Sequence, residues 1–149
     1  MDSRTKKVYF GKARHNLKNP VNAILGYSEM LIEDCEDEGL HSVVEDLGKL
    51  YFAGKDILTA IETNFSDQSL SLAKKKISDI GKQTELDIRT PLNTIIGYSE
   101  LIIEDNPNIR IETFHSDIQK IIDSGRNLEK ELSSIITFDV SSLNISKDN

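Results

Sequence analysis

A histidine with reactive potential stands beside a segment that occurs twice in this chain. Residues 20–34 (PVNAILGYSEMLIED) return as residues 91–105 (PLNTIIGYSELIIED), with ten identities in fifteen positions. His15 lies five residues before the first copy, whereas Leu86 holds the same position before the second. An imidazole can act as a base or nucleophile near neutral pH, and an aliphatic side chain cannot. We therefore expect the repeated frame to carry structure and His15 to carry the chemistry.

The surroundings of His15 do not suggest a metal site. A metal-binding helix would place His, Cys, Asp or Glu three or four residues further on, and those positions hold Lys18 and Asn19. The other two histidines, His41 and His115, have no counterpart in the repeat and no motif around them. We expect no metal in this chain and no chemical role for these two histidines.

Composition narrows the classes of partner. The 149 residues carry a net charge of −7, with a pI near 5.0, so nucleic acid and anionic membrane surfaces would be repelled. No apolar run approaches the roughly 20 residues that span a bilayer, and the N-terminal residues do not resemble a secretory signal. Cys35 is the single cysteine, so it has no disulfide partner and is predicted to be a packing or surface residue. These features predict a cytoplasmic protein without membrane insertion.

The elements that must position His15 are helices. Apolar residues recur every three or four positions in four stretches, and no stretch alternates with the period of two that a strand needs. Turn formers interrupt the pattern at residues 35–39 and 106–108. The sequence therefore predicts an all-α protein built from two helical hairpins.

The two hairpins should close on each other. The first comprises residues 1–65 and the second residues 66–138, followed by a polar tail or linker at 139–149. A connection at residues 64–68 would reach about 17 Å, which suits hairpins lying side by side. Each hairpin alone leaves an apolar face uncovered. We therefore expect an antiparallel four-helix bundle with pseudo-twofold symmetry inside one monomeric chain, with a homodimer as the alternative.

Proline occurs once in each copy of the repeat, as Pro20 and Pro91. Within a helix it removes a backbone hydrogen bond and costs roughly 3 kcal/mol, so each proline should kink a helix or begin one. If the first helix continues through Pro20, the carbonyl of Asn16 loses its donor one turn earlier. His15 then lies on an outward line with Asn22 and Glu29, and its imidazole should be exposed on the flank of the bundle.

These residues resemble a known family. The segment His15-Asn-Leu-Lys-Asn-Pro-Val-Asn-Ala-Ile-Leu-Gly-Tyr-Ser-Glu29 resembles the phosphoacceptor box of bacterial sensor histidine kinases, in their dimerisation and histidine phosphotransfer domain. Residues 121–128 (IIDSGRNL) are similar to the second helix of that domain, and residues 87–97 repeat the box without its histidine. In the family, two hairpins from two subunits form a four-helix bundle, whereas here both appear on one chain.

The resemblance implies a role for several residues. His15 would accept a phosphoryl group on a ring nitrogen and exchange it with an aspartate of a response-regulator receiver domain. Asn19 occupies the place of a family residue that orients water for dephosphorylation of the receiver. Arg14 or Lys18 could neutralise phosphoryl charge. The chain itself would need no cofactor, because the Mg²⁺ of such a reaction belongs to the receiver partner.

Two departures from the family matter. The residue after the histidine is usually an acidic base for autophosphorylation, and here it is Asn16, which cannot accept a proton. The second copy has Leu86, Asp87 and Thr90 at the corresponding places, which marks it as a degenerate site. The glycines are scattered singly, without a nucleotide lid or Walker loop, so ATP-dependent autokinase activity is not expected of this chain alone.

Three interpretations follow from the sequence. The first is a phosphotransfer module of a two-component phosphorelay that works through His15. The second is a non-catalytic bundle that binds a receiver or relays a signal to an output domain. The third is a fragment of a larger histidine kinase. His15, Asn19 and Pro20 together favour the first interpretation, and Asn16 favours the second.

Overall fold

Four long helices account for most of the structure, a computed structural model that describes residues 3–66 and 76–148, with side chains for 4–66 and 76–137. The helices are α1 (Ser3–Asp37), α2 (His41–Asn64), α3 (Ile77–Asp105) and α4 (Phe114–Asp148). The residues described include no β-strand. The all-α prediction is confirmed.

The helices form a four-helix bundle in which each packs against two neighbours. α1 lies between α2 and α4, and α3 lies between the same two helices on the opposite side, so α1 and α3 are diagonal. The apolar stripes of the sequence meet in one core. Its most deeply buried large side chains include Phe10, Leu17, Ile24, Leu31, Leu47, Ile57, Phe65, Ile88 and Phe114.

The first hairpin turn is set by Gly39. Its φ of 71° lies in the left-handed region, which glycine enters without a steric penalty. The amide of Gly39 donates to the Glu36 carbonyl, and the amide of Leu40 donates to the Cys35 carbonyl. This pair of bonds is a Schellman motif, which ends α1 and turns the chain into α2.

The second hairpin turn is held by side chains. The Asn106 amide donates to the carbonyl of Ile102 at 2.9 Å. The His115 ring lies 3.0 Å from the Asn106 carbonyl, a contact in which Nε2 is the donor. The same ring packs edge-on against Phe114. His115 therefore has a structural role that the sequence did not indicate.

Each hairpin has a glycine at the same place, where its two helices approach closely. A Cβ at Gly54 would lie 2.9 Å from Cδ2 of Leu25, where α2 crosses α1. A Cβ at Gly125 would lie 3.4 Å from Cγ1 of Ile96, where α4 crosses α3. Both residues of the second pair follow those of the first by 71 positions. The two hairpins thus share one packing arrangement.

Two details of the chain path depart from the predictions. α2 ends at Asn64 and α3 begins at Ile77, so the connection between hairpins is longer than residues 64–68. Residues 67–68 of the predicted connection lie outside the described part of the chain. The backbone of the predicted tail or linker at 139–149 is helical as far as Asp148, the last residue of α4.

Candidate functional site

His15 lies on the exposed flank of α1, as the helical register predicts. Asn22 and Glu29, one and two heptads further along, are exposed on the same line. α1 continues through Pro20 rather than beginning there. Since proline has no amide hydrogen, the carbonyl of Asn16 lacks the donor that the fourth following residue normally supplies. The regular pattern of helical hydrogen bonds is therefore interrupted one residue from the imidazole.

A polar cleft runs between α1 and α4 beside His15. Its volume is about 340 Å³, and its α1 wall begins with the residue that directly follows the histidine. The lining residues are Asn16, Asn19, Pro20 and Ala23 of α1 and Ser124, Asn127, Lys130 and Glu131 of α4. The structure thus brings the predicted residues Asn16 and Asn19 to one cleft, whose lining does not include His15 itself. Side-chain amides, a hydroxyl and an ammonium group are suited to hydrogen-bond an anion there.

The two cations of α1 that could neutralise phosphoryl charge contact the end of α2 and not the cleft. Arg14 donates through Nη1 to the carbonyl of Phe65, at 2.8 Å. Lys18 forms an ion pair with Glu62, with Nζ 3.3 Å from the carboxylate oxygen. Both side chains therefore tie α1 to the end of α2. Neither lines the cleft beside His15.

The α4 side of the cleft was missed by reasoning from the sequence. Asn127 and Lys130 lie more than one hundred residues from His15 in the chain, and no motif links them to it. The antiparallel packing of α1 and α4 could have identified these residues. In such a pair the residue numbers run in opposite directions along the two helices, which determines the residues of α4 that face a given residue of α1. That register requires the order of helices around the bundle, which the hydrophobic pattern does not supply.

The positions that the sequence predicts to be a degenerate site, Leu86, Asp87 and Thr90, lie in a part of α3 that is hydrogen-bonded to the end of α2. Asn64 donates through Nδ2 to Asp87 Oδ2 at 2.9 Å and to Thr84 Oγ1 at 3.0 Å. Gln83 donates to the other oxygen of Asp87 at 2.8 Å. Leu86 is 57% exposed, as its outward position predicts. Asp87 therefore joins α3 to the end of α2.

Thr90 completes the degenerate site at the position that corresponds to Asn19. It is exposed, and its carbonyl accepts a hydrogen bond from the Thr94 hydroxyl at 3.1 Å. The degenerate site lies on α3, diagonally opposite α1 in the bundle. The structure does not bring Leu86, Asp87 and Thr90 together with His15, so the two sites are separate.

A second cleft of about 330 Å³ lies between α3 and α4. Its walls include Arg89 and Ser133. The corresponding positions of the first hairpin are Lys18 and Glu62, which form the ion pair described above. Ser133 cannot pair with Arg89 in that way. The second cleft therefore lies at the place where the second hairpin lacks the ion pair of the first.

The remaining reactive groups do not extend the site. Cys35 is buried, and burial, with a smaller contribution from the Asp34 carboxylate, raises the pKa of its thiol to about 11. His41 is exposed at the first turn. Within the described ranges, no three His, Cys, Asp or Glu side chains are grouped so that they could hold a metal ion. None of the described helices is both long and apolar enough to cross a membrane.

Comparison of the chain with protein-family models, curated proteins and solved structures gives no match. The functional assignment therefore depends on the residues and geometry of the cleft.

Proposed function

We propose that this protein is a histidine phosphotransfer module, which exchanges a phosphoryl group between His15 and an aspartate of a receiver domain. The observation that supports the proposal is the exposed imidazole of His15 directly before a helix segment whose residues Asn16 and Asn19 line a cleft with polar walls. An exposed ring can meet an aspartyl phosphate carried by another protein, which a buried ring could not. Phosphoryl transfer depends mainly on positioning and charge neutralisation, and both can come from a preformed helical surface.

The transfer is a nucleophilic displacement at phosphorus. The unprotonated ring nitrogen of His15 attacks the phosphorus of the aspartyl phosphate, and a P–N bond forms as the P–O bond breaks. The electron pair leaves with the aspartate carboxylate, and the proton on the other ring nitrogen passes to water. Asn19 lines the cleft, where it could orient a water molecule for the competing hydrolysis of the aspartyl phosphate, in which water attacks phosphorus and inorganic phosphate is released.

A direct test uses a panel of receiver domains that carry labelled phosphate. Wild-type protein should take up label, and His15→Gln should not. His41→Gln is the matched control, because His41 is also an exposed histidine and lies at the first residue of α2, outside the cleft. Labelling of His15→Gln at the wild-type rate, or no labelling of the wild type by any donor, would refute the proposal.

A second candidate function is a non-catalytic bundle that binds a receiver without accepting phosphate. Asn16 favours it, because this residue, which directly follows His15 in the chain and lines the cleft, carries no carboxylate to accept a proton. This alternative predicts binding of a receiver, measured by titration calorimetry, that is unchanged in His15→Gln and is accompanied by no transfer of label.

A further inference from the structure

The α4 side of the cleft carries a lysine at the height of His15. Lys120 of α4 lies over the Tyr27 ring of α1, with Nζ 5.3 Å from the ring centroid, and this contact fixes the register of the two helices. Ten residues further along α4, about 15 Å of helix, comes Lys130. Ten residues back along α1 comes Leu17. Because the helices are antiparallel, Lys130 lies level with Leu17, two residues or about 3 Å along the axis from His15.

Lys130 is available for a ligand. Its side chain is exposed, it lines the cleft, and it forms no ion pair with the described residues. Arg14 and Lys18 are held at the end of α2. Among the cleft residues, Lys130 therefore supplies the positive charge.

Lys130 lies on the helix that packs against the helix of His15, and the corresponding position of the first hairpin holds no lysine. The positions of the first hairpin that correspond to Asn127 and Lys130 are Asp56 and Thr59. These residues belong to α2, which packs against α3, the helix of Leu86. Beside α3, which has Leu86 in place of the histidine, the Asp56 carboxylate corresponds to the Asn127 amide. The neutral Thr59 hydroxyl corresponds to the Lys130 ammonium group. The duplicated frame thus differs on both helices of the site: the imidazole, the amide and the lysine are on the His15 side, where α4 also carries Glu131 at the position that corresponds to Ala60.

We infer that Lys130 is a phosphoryl-binding residue, whose ammonium group contacts the phosphoryl oxygens during transfer to and from His15. This inference rests on the proposed function. The approaching group is an anion and Glu131 adds a carboxylate to the same cleft, so the Lys130 ammonium group would offset repulsion at this point. Asn127 adds a hydrogen-bond donor one turn away on the same wall.

The test uses potassium phosphoramidate, a small phosphoryl donor that needs no partner protein. The His15 ring nitrogen attacks its phosphorus, the P–N bond of the reagent breaks, and ammonia leaves with the proton it requires. Intact-mass spectrometry follows the gain of one phosphoryl group by wild type, Lys130→Gln, Lys130→Arg, Lys82→Gln and His15→Gln. Lys82 is an exposed lysine of α3, outside the cleft, and serves as the matched control. Circular dichroism checks that each variant is folded.

We expect Lys130→Gln to accept the group about tenfold more slowly than wild type, with Lys130→Arg and Lys82→Gln close to wild type. Raising the ionic strength from about 0.01 M to about 0.15 M should slow the wild type and scarcely affect Lys130→Gln, which a structural role would not explain. Equal rates for wild type and Lys130→Gln overturn the inference and leave the proposed function intact. Absence of label on wild type from this donor and from every receiver overturns the proposed function, and the role of Lys130 with it.

Discussion

The ammonium group of Lys49, on α2, lies 4.8 Å from the centre of the Tyr98 ring on α3. The same pair occurs again 71 positions away in the chain, where Lys120 of α4 lies 5.3 Å from the Tyr27 ring of α1. In each case the lysine also forms an ion pair with an aspartate three residues earlier, Asp46 or Asp117. Each hairpin therefore presents the same lysine to the other, which is the contact pattern of a twofold dimer built within one chain.

A closed pseudo-dimer should be monomeric in solution. Each hairpin already covers the apolar face of the other, so a second chain is not needed to complete the core. Sedimentation equilibrium should therefore give the mass of one chain, 16.8 kDa, over a wide range of concentrations. A stable dimer would instead indicate that hairpins pair between chains, or that two bundles associate through exposed apolar residues such as Leu86 and Phe52.

Two Gly→Ala substitutions should distinguish the contribution of helix propensity to stability from that of core packing. Gly97 is exposed within α3, with open space around its Cα, so Gly97→Ala should stabilise the protein by about 1 kcal/mol. Gly54→Ala gains the same propensity but forces the buried Leu25 side chain to move away from a 2.9 Å contact. We expect it to be less stable than Gly97→Ala by about 1 kcal/mol or more. Urea denaturation midpoints provide the measurement, and equal midpoints would contradict the packing described for Gly54.

The hydrogen bonds of Asp87 should matter for stability and not for phosphoryl transfer. Asn64→Ala removes the donor that Asp87 and Thr84 share, and should destabilise the protein by about 1 kcal/mol. In a double-mutant cycle with Asp87→Ala, the two changes should couple, since each removes the same bond. Neither variant should alter labelling of His15. Slower labelling of a folded Asp87→Ala protein would show that the second site takes part in the chemistry.

The periodicity of apolar residues predicted the helices well. The buried face of a helix consists of residues three or four positions apart, so it can be recognised within a short stretch of sequence. In α3, for example, the buried residues Ile77, Ile88 and Ile95 belong to one apolar stripe that starts at the first residue of the helix. The directions of long charged side chains were not predicted in the same way. Arg14 and Lys18 bind partners 51 and 44 positions away, which only the packing of α1 against α2 brings close. Lys130 reaches the cleft for the same reason, through the packing of α4 against α1.

Cys35 should make stability fall at alkaline pH. Burial raises the pKa of its thiol from 9.0 to about 11, so between these values the unfolded chain loses a proton that the folded chain keeps. The contribution of Cys35 to stability is therefore complete below pH 9 and is lost as the pH rises toward 11. The difference in unfolding free energy between wild type and Cys35→Ala, measured by urea titration across this range, should narrow as the pH rises.

Reaction with iodoacetamide gives a second readout for Cys35. The thiolate is the reactive form, and a buried thiol with a raised pKa holds little of it at pH 8. Alkylation of the native protein should therefore be slow and should become rapid in denaturant. Fast alkylation of native protein, or a gap between wild type and Cys35→Ala that is independent of pH, would contradict the burial of this side chain.

The two prolines offer a matched test of structure against chemistry. Pro20 and Pro91 occupy equivalent positions within α1 and α3, and each leaves a carbonyl four residues earlier without its helical donor. Pro20→Ala and Pro91→Ala should therefore both stabilise the protein, by about 1 to 3 kcal/mol in urea denaturation. Only Pro20 lines the cleft beside His15, and only its replacement engages the carbonyl of Asn16.

Phosphoryl uptake by His15 should consequently differ between the two proline variants. Pro20→Ala reshapes the cleft wall and should slow uptake several-fold, and Pro91→Ala should leave the rate unchanged. The comparison has an internal control, because a general effect of greater helix stability would act on both variants alike. Equal rates in the two variants would mean that the backbone around Asn16 does not contribute to the reaction of the neighbouring imidazole.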